Sequence, residues 1–279
     1  MVSNVWRYTT ALDAKERADA LGLLSALDLQ LGREAIDENR RRQVQHNLTG
    51  HYWLAYQGGA LTHIAIEDRT NGPSIEVAGG NFDPDLAREL LNHHAHVDWW
   101  LRGDEALEVN ARPARSLRYL ETENLHLETP TTEMSVRNFQ PGRDDQHWLE
   151  QNNAAFAHHP EQGRWDLATL QARLAEPWFD PSGFLLFFDG DKLAASCWTK
   201  IHEFNTTRTG EIYVISVHPE YQGRRLGLTI LLHGLASIHS RGVHRASLFV
   251  EDSNTAALAL YEGVGFTTVR TDHVVRITR

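Results

Sequence analysis

The chain has 279 residues, 41% apolar and 23% charged, which is enough for about two ordinary domains or one large one and excludes collagen-like, low-complexity and wholly disordered classes. Its net charge of −10 offers no pull towards nucleic acid or an anionic membrane. A single cysteine, Cys197, excludes an intramolecular disulfide and a thiolate-rich zinc site and fits a reducing cytosol.

The stretch from Met1 to Ala20 mixes Trp6, Arg7, Asp13, Lys15, Glu16 and Arg17, so no signal peptide is expected. The longest strongly apolar run, Phe184 to Phe188, is far short of the roughly 20 residues a membrane helix needs. Neither membrane nor nucleic acid is an expected partner, and a cytoplasmic monomer is expected. Helical spacing runs from Asp13 to Leu27, with Leu21, Leu24 and Leu27 on one stripe, and a second, polar helix spans about Glu34 to His46. After Gly50 the period changes. His51 to Tyr56, Gly58-Gly59 and Leu61 to Ile66 read as a hairpin, and Ser74 to Ala78 as a further strand. Asp83-Pro84 then supplies an N-cap and first-turn proline for a helix expected to reach about Trp100.

Thr129 to Thr132 is polar and aperiodic, which places the expected domain boundary there, with domains at 1–130 and 134–279. A second cycle follows: a strand at Val136, helices at Asp144 to Ala157 and Asp166 to Ala175, and a hairpin from Gly183 to Ile201 turning at Asp189-Gly190. Glu211 to Val217 is a nearly all-apolar strand. It leads through a turn at Gly223 to a helix from about Leu226 to Ser240, a strand at Ser247 to Val250, a helix from Asn254 to Gly263 and strand segments from Phe266 to Ile277. The fold class is therefore α+β, and the similar element order suggests two copies of one unit, although no residue-level repeat is visible.

The densest information lies between Ile212 and Leu232. A buried-type strand ends at His218-Pro219 and continues as Glu220-Tyr221-Gln222-Gly223-Arg224-Arg225-Leu226-Gly227 before an apolar helix. Successive backbone N–H groups and the positive end of that helix make a site for a phosphate or pyrophosphate, with Arg224 or Arg225 adding charge. The bland alternative is a tight turn with solvated arginines. The Gly-Lys-Ser/Thr ending of a nucleoside-triphosphate loop and the dinucleotide G-x-G-x-x-G pattern are both missing.

This loop resembles the acetyl-CoA loop of the GNAT acetyltransferase superfamily, Q/R-x-x-G-x-G/A, with Gln222 and Gly227 fitting and Arg225 where a middle glycine is usual. Asn254, Ala257, Tyr261, Gly265 and Phe266 resemble a second superfamily segment, N-x-x-A-x-x-x-Y-x-x-x-G-F. The C-terminal half is more specifically similar to the mycothiol synthase family, two-lobed GNAT enzymes that acetylate the cysteine amine of cysteinyl-glucosaminyl-inositol. The segments carrying the likeness are Asn152 to Gly163, Trp178 to Pro181, Trp198 to Lys200 and Gly210 to Val214, with Ile36 to Asn39 a thinner one in the first half. The resemblance implies two tandem GNAT-like domains, each a mixed, mostly antiparallel sheet flanked by helices, with acetyl-CoA as cosubstrate.

Acyl transfer to an amine needs an unprotonated nucleophile, a polarised thioester carbonyl and a proton for the leaving thiolate, with no metal and no covalent enzyme intermediate. The resemblance gives Glu211 the role of base and Tyr261 that of the acid protonating the coenzyme sulfur. It puts Ile215, Ser216 and Val217 along the acetyl and pantetheine portion, Gln222, Gly223, Arg224, Arg225, Leu226, Gly227 and Leu228 around the pyrophosphate, and Asn254, Thr255, Ala256, Ala257, Leu258 and Ala259 beside the pantetheine arm. Glu38, Glu161, Lys200 and Glu211 are implied acceptor contacts, and Phe249 stands where the family offers a hydroxyl. Ala78 to Asp83 in the first half lacks a comparable loop, and the acidic Asp83 and Asp85 oppose an anion, so no second productive coenzyme site is expected there.

His93, His94, His96 and Asp98 crowd one segment, but two imidazoles on one helix face without a clear third ligand make a poor metal site. Cys197 sits in an apolar strand and reads as an inert buried thiol. Two other functions stay open at this point: a GNAT acting on another small amine or a peptide N-terminus, and a non-catalytic acetyl-CoA-sensing module.

Overall fold

Asp13 opens the first helix through a reciprocal cap: its carboxylate accepts from the Glu16 N–H at 2.8 Å, and the Glu16 side chain accepts from the Asp13 N–H at 3.0 Å. The computed structural model describes residues 4–80, 82–103, 113–159, 162–204 and 207–279. They form two compact units, Met1–Arg118 with Arg270–Arg279, and Tyr119–Val269.

In the first unit β1 (Trp6–Thr9), α1 (Ala14–Leu31) and α2 (Glu38–Gln45) precede β2 (His51–Gln57), β3 (Ala60–Asp68), β4 (Ser74–Ala78), α3 (Pro84–His93) and β5 (His96–Leu101). Strands β1 to β4 pair antiparallel in sequence order and β4 pairs β5 in parallel. The helix expected to run from Asp83 to Trp100 stops at His93, because His94 is extended and His96–Leu101 alternates in burial along an aromatic, β-branched segment. Period two overrides the i, i+4 spacing there, and the segment is a strand.

The second unit repeats the order. Strand β6 (Pro113–Thr122) crosses from one unit to the other, followed by β7 (Ser135–Asn138), α4 (Asp145–Ala155), α5 (Leu167–Leu174), β8 (Phe184–Asp189), β9 (Lys192–Phe204), β10 (Thr207–Val217), α6 (Leu226–Ser240), β11 (Ala246–Glu251) and α7 (Thr255–Gly263). Strands β7 to β10 pair antiparallel and β10 pairs β11 in parallel. The final strand, β12 (Thr267–Thr278), pairs antiparallel with β5 and so completes the first unit's sheet, while β6 neighbours β11 in the second. The mixed, mostly antiparallel α+β architecture is the expected class.

Each unit of the fold buries both faces of its sheet. In the second, Trp148, Phe184, Trp198 and Val214 form one core against α4 and α5, and Cys197, Ile212, Leu231, Leu235 and Tyr261 form the other under α6 and α7. Helix α6 can lie close on β9 and β10 because Gly234 faces Cys197: a Cβ there would stand 2.5 Å from the Cys197 Sγ. The helix is thereby held with its N-terminus at the end of β10.

Candidate active site

Strand β10 parts from its neighbour β11 partway along its length. Its parallel pairing with β11 comprises Gly210 with Ala246 and Glu211 with Ser247, whereas its antiparallel pairing with β9 continues to Val217. A register shift between Ile212 and Val214 marks a bulge at Tyr213. Beyond Glu211, therefore, the edge of β10 facing β11 has no ladder partner among the described residues, which leaves the backbone of Ile215, Ser216 and Val217 unpaired on that side. The Ser216 hydroxyl itself donates to the Gln151 Oε1 at 3.1 Å and is buried, so it is the main chain of that residue that faces the split.

Glu211 stands at the last paired position, opposite Lys200 in the antiparallel register. His202 lies two residues beyond Lys200 on the same face of β9. Its Nε2 is 2.5 Å from the Glu211 Oε2, and both side chains are 14% exposed. A carboxylate only accepts, so the Nε2–H of His202 is the donor. Sequence reasoning missed this residue. The available signal was the Lys200, His202 alternation on the strand antiparallel to Glu211, but the register that makes it useful is non-local.

Lys200 is 4% exposed, its ammonium 4.8 Å from the centre of the Trp178 ring and 5.8 Å from that of Tyr213. It is thus not a solvent-facing strand residue; cation–π contacts compensate part of its desolvation. Phe249, 40% exposed on β11, packs at 5.0 Å on Tyr119, whose hydroxyl donates to Glu121 at 2.9 Å. A phenol therefore stands next to the position where Phe249 lacks one. Glu38 occupies the first helical position of α2 in the first unit, and Glu161 lies outside the described residues.

The loop after β10 makes a 3₁₀ turn at Pro219–Tyr221 and reaches α6 through two left-handed residues, Gly223 at φ 76° and Arg225 at φ 60°. Arg225 thus holds the backbone conformation that a glycine adopts without cost, at roughly 1–2 kcal/mol. Its side chain is exposed. No side chain caps α6, so the N–H groups of its first turn, at Leu226, Gly227 and Leu228, are not consumed by a capping carboxylate or hydroxyl. The Arg224 guanidinium lies 4.8 Å over the Tyr221 ring and donates to the Glu220 carbonyl at 3.1 Å, while the Gln222 amide donates to the Val217 carbonyl at 3.4 Å. An apolar strand end, two left-handed residues and an uncapped 15-residue helix together present main-chain N–H groups of the kind that suit an anion.

On α7, Asn254 is the N-cap and accepts from the Ala257 N–H at 3.1 Å, which gives that side chain a structural task. Thr255, Ala256 and Ala259 are exposed, whereas Leu258 and Tyr261 are buried in the core beneath. Burial raises the Tyr261 phenol well above the ordinary tyrosine range, with Cys197 adding to the rise, so it stays protonated at neutral pH. Cys197 is buried, and desolvation pushes its thiol up to about 12, which removes it as a nucleophile.

The same positions in the first unit are closed. Glu76 is the last residue of β4 paired to β5, the counterpart of Glu211, but it is 2% exposed and tied down. Arg102 Nε donates to its Oε1 at 2.7 Å and the Asp37 N–H to its Oε2 at 2.9 Å, with Arg40 at 3.7 Å. Helix α3, the counterpart of α6, is capped by Asp83, which accepts from the N–H groups of Asp85 and Leu86 at 2.9 and 3.0 Å and from the Trp6 indole at 3.0 Å. The crowded histidine segment is likewise engaged: His94 reaches Glu67 at 2.7 Å and Asp98 pairs with Arg276 at 2.7 Å.

Comparisons with known proteins bear on the family and the fold. Residues 146–266 match the family model described as the acetyltransferase (GNAT) family. The chain is 46% identical to the mycothiol acetyltransferase of Geodermatophilus obscurus over 94% of both chains, and 38% identical to that of Salinispora tropica over 92% of both. Among solved structures, a GCN5-related N-acetyltransferase from Sphaerobacter thermophilus superposes with a TM-score of 0.66 at 19% identity, covering 98% of this chain and 95% of that one. A tandem GNAT protein from the clavulanic acid biosynthesis pathway gives 0.65 at 14% identity, covering 98% of each, so both share the fold. The chain belongs to the mycothiol acetyltransferase family of GNAT proteins and is an acetyl-CoA-dependent N-acetyltransferase.

Proposed function

We propose that the second unit moves acetyl from acetyl-CoA to the cysteine amine of cysteinyl-glucosaminyl-inositol by direct attack in a ternary complex, the last step of mycothiol biosynthesis. The observation that carries this reading is the end of β10–β11 pairing at Glu211, next to an uncapped α6 N-terminus. The amides of Arg224 to Leu228 hold the pyrophosphate, the free edge at Ile215 to Val217 pairs with the pantetheine arm, and Asn254 to Ala259 border it. The thioester then lies in the split, where its carbonyl meets main-chain donors.

Glu211, oriented by His202, accepts a proton from the acceptor ammonium. The free amine attacks the thioester carbonyl; as the tetrahedral intermediate collapses and its C–S bond breaks, Tyr261 supplies a proton to the departing sulfur from a phenol that burial keeps neutral, and the second proton shed by the new amide nitrogen restores that phenol through water. Glu38, Glu161 and Lys200 are further acceptor contacts proposed from the resemblance of their segments, and Phe249 with Tyr119 forms an aromatic wall for the sugar part. The capped α3 and the ion-paired Glu76 support a first unit without a productive coenzyme site.

Steady-state kinetics over a panel of amines tests the assignment. The sugar-inositol acceptor should exceed simple amines and peptide N-termini in kcat/KM; indifference to the sugar-inositol part refutes it. In the same assay Glu211→Gln should lower kcat more than coenzyme affinity, and changes in the Gln222 to Gly227 loop should do the reverse.

A further inference from the structure

Imidazoles from three separate stretches of the second unit converge at the end of α6 remote from the coenzyme loop. His126 follows β6, His239 lies in the last turn of α6 and His244 in the turn before β11, and one ring nitrogen from each lies within 4.8 Å of the others. The ring centroids of His126 and His239 are 4.3 Å apart, and those of His239 and His244 are 5.4 Å apart. His239 Nδ1 is buried with no hydrogen-bond partner among the described residues. Such an orphaned buried nitrogen is uncommon and is relieved when an ion or donor reaches it.

Neutral imidazole nitrogens suit Zn²⁺, Cu²⁺ and Ni²⁺, and zinc bonds of 2.0–2.1 Å place neighbouring nitrogens of a tetrahedral ion about 3.4 Å apart. His126 and His244 are exposed, so rotation of their side chains closes the remaining distance without moving the helix. Arg245, next in sequence to His244, is engaged by Glu123 at 2.8 Å and Glu121 at 3.9 Å, which offsets its charge beside an incoming cation.

We propose that His126, His239 and His244 form a divalent transition-metal site, best suited to zinc with water as the fourth ligand. The ion clips the segment after β6 to the end of α6 and to the turn before β11. At 1.5 Å per residue His239 is about 20 Å along the helix from the coenzyme loop, so the ion has a structural role and takes no part in acetyl transfer.

The test is zinc binding by the tag-free full-length chain, stripped with a chelator and titrated against a chromophoric competitor, with the unfolding midpoint followed at each free zinc concentration. One equivalent should bind and raise the midpoint. His126→Asn and His244→Asn, at exposed positions where folding is not at stake, should each weaken binding on the order of 100-fold and abolish the rise. The double change His93→Asn with His96→Asn should leave both unaltered. Absence of competitive zinc binding by the unaltered chain, or an equivalent that survives the His126 and His244 changes, overturns the proposal.

Discussion

Replacing Tyr261 by phenylalanine removes one oxygen from the coenzyme sulfur's expected proton donor and leaves the core nearly intact. The ring is 7% exposed and packs 5.9 Å from Phe266 within the core that includes Cys197, Ile212 and Leu258, all of which a phenylalanine ring still fills. The hydroxyl makes no hydrogen bond among the described residues, so its removal strands no partner and stability should change by less than about 1 kcal/mol. Positioned general acids contribute roughly 10²–10⁴-fold, so kcat should fall by that range, equivalent to about 3–5 kcal/mol of barrier. Stopped-time acetylation assays with saturating acceptor, paired with urea unfolding of both proteins, separate the two effects. Because burial raises the phenol, the wild-type rate should show no loss from tyrosine ionisation up to about pH 10. A variant within threefold of wild-type kcat, or one whose loss of rate matches a loss of folded protein, refutes the assignment.

Further outcomes follow from the same geometry. His202→Leu should lower kcat about 10- to 100-fold with coenzyme KM unchanged, since a hydrogen bond to a charged group contributes roughly 1.5–3 kcal/mol, and His202→Gln should restore much of it; no difference between the two variants would contradict a positioning role. The Cys197 thiol is raised, so its contribution to stability is full below about pH 9 and is lost as pH climbs towards about 12; urea midpoints should fall through that window, by up to ~1.4 kcal/mol per pH unit from this group. Cys197→Ala should flatten that dependence, and an unchanged slope would exclude the thiol as its source. Asp83→Ala should cost about 1–2 kcal/mol of stability through loss of the α3 cap, measured by urea unfolding, with one coenzyme equivalent still bound in calorimetry; two equivalents in the wild-type chain would contradict a closed first unit.

Local chemistry made much of the fold legible. Asp13 with Glu16 and Asp83 with Pro84 place helix starts, and Asp189-Gly190 places a hairpin turn, because caps and turns are decided within a few residues. The segment His96–Leu101 carries a helix-like signal because Val97 and Leu101 are spaced four apart, which suits a helix face and alternate strand positions equally; its Trp99 and Trp100 and the extended His94 settle it as β5. Strand β6 leaves little sequence signal because its first residues are largely exposed and show little alternation. The pairing of β12 with β5 is invisible locally, since strand partners far apart in sequence leave no residue pattern of their own.

The site divides along the same line. Glu211, Tyr261 and the Gln222 to Gly227 loop stand out in the sequence because each belongs to a short segment with fixed spacing, and their roles rest on the resemblance of those segments. The conformational demand on Arg225 became plain only in its left-handed backbone. His202, the aromatic housing of Lys200 and the Tyr119 beside Phe249 depend on cross-strand register. The contrast between Glu76 and Glu211, two carboxylates at matching strand positions with opposite surroundings, needs the tertiary structure to be seen at all.

A crystal structure of the full chain with coenzyme A and a non-reactive acceptor analogue tests the central claim most directly. Pyrophosphate oxygens should lie about 2.7–3.2 Å from backbone nitrogens between Arg224 and Leu228, with the sulfur between Glu211 and Tyr261. Coenzyme bound at the Asp83-capped end of α3 alone, or an acceptor amine turned away from Glu211, would contradict it.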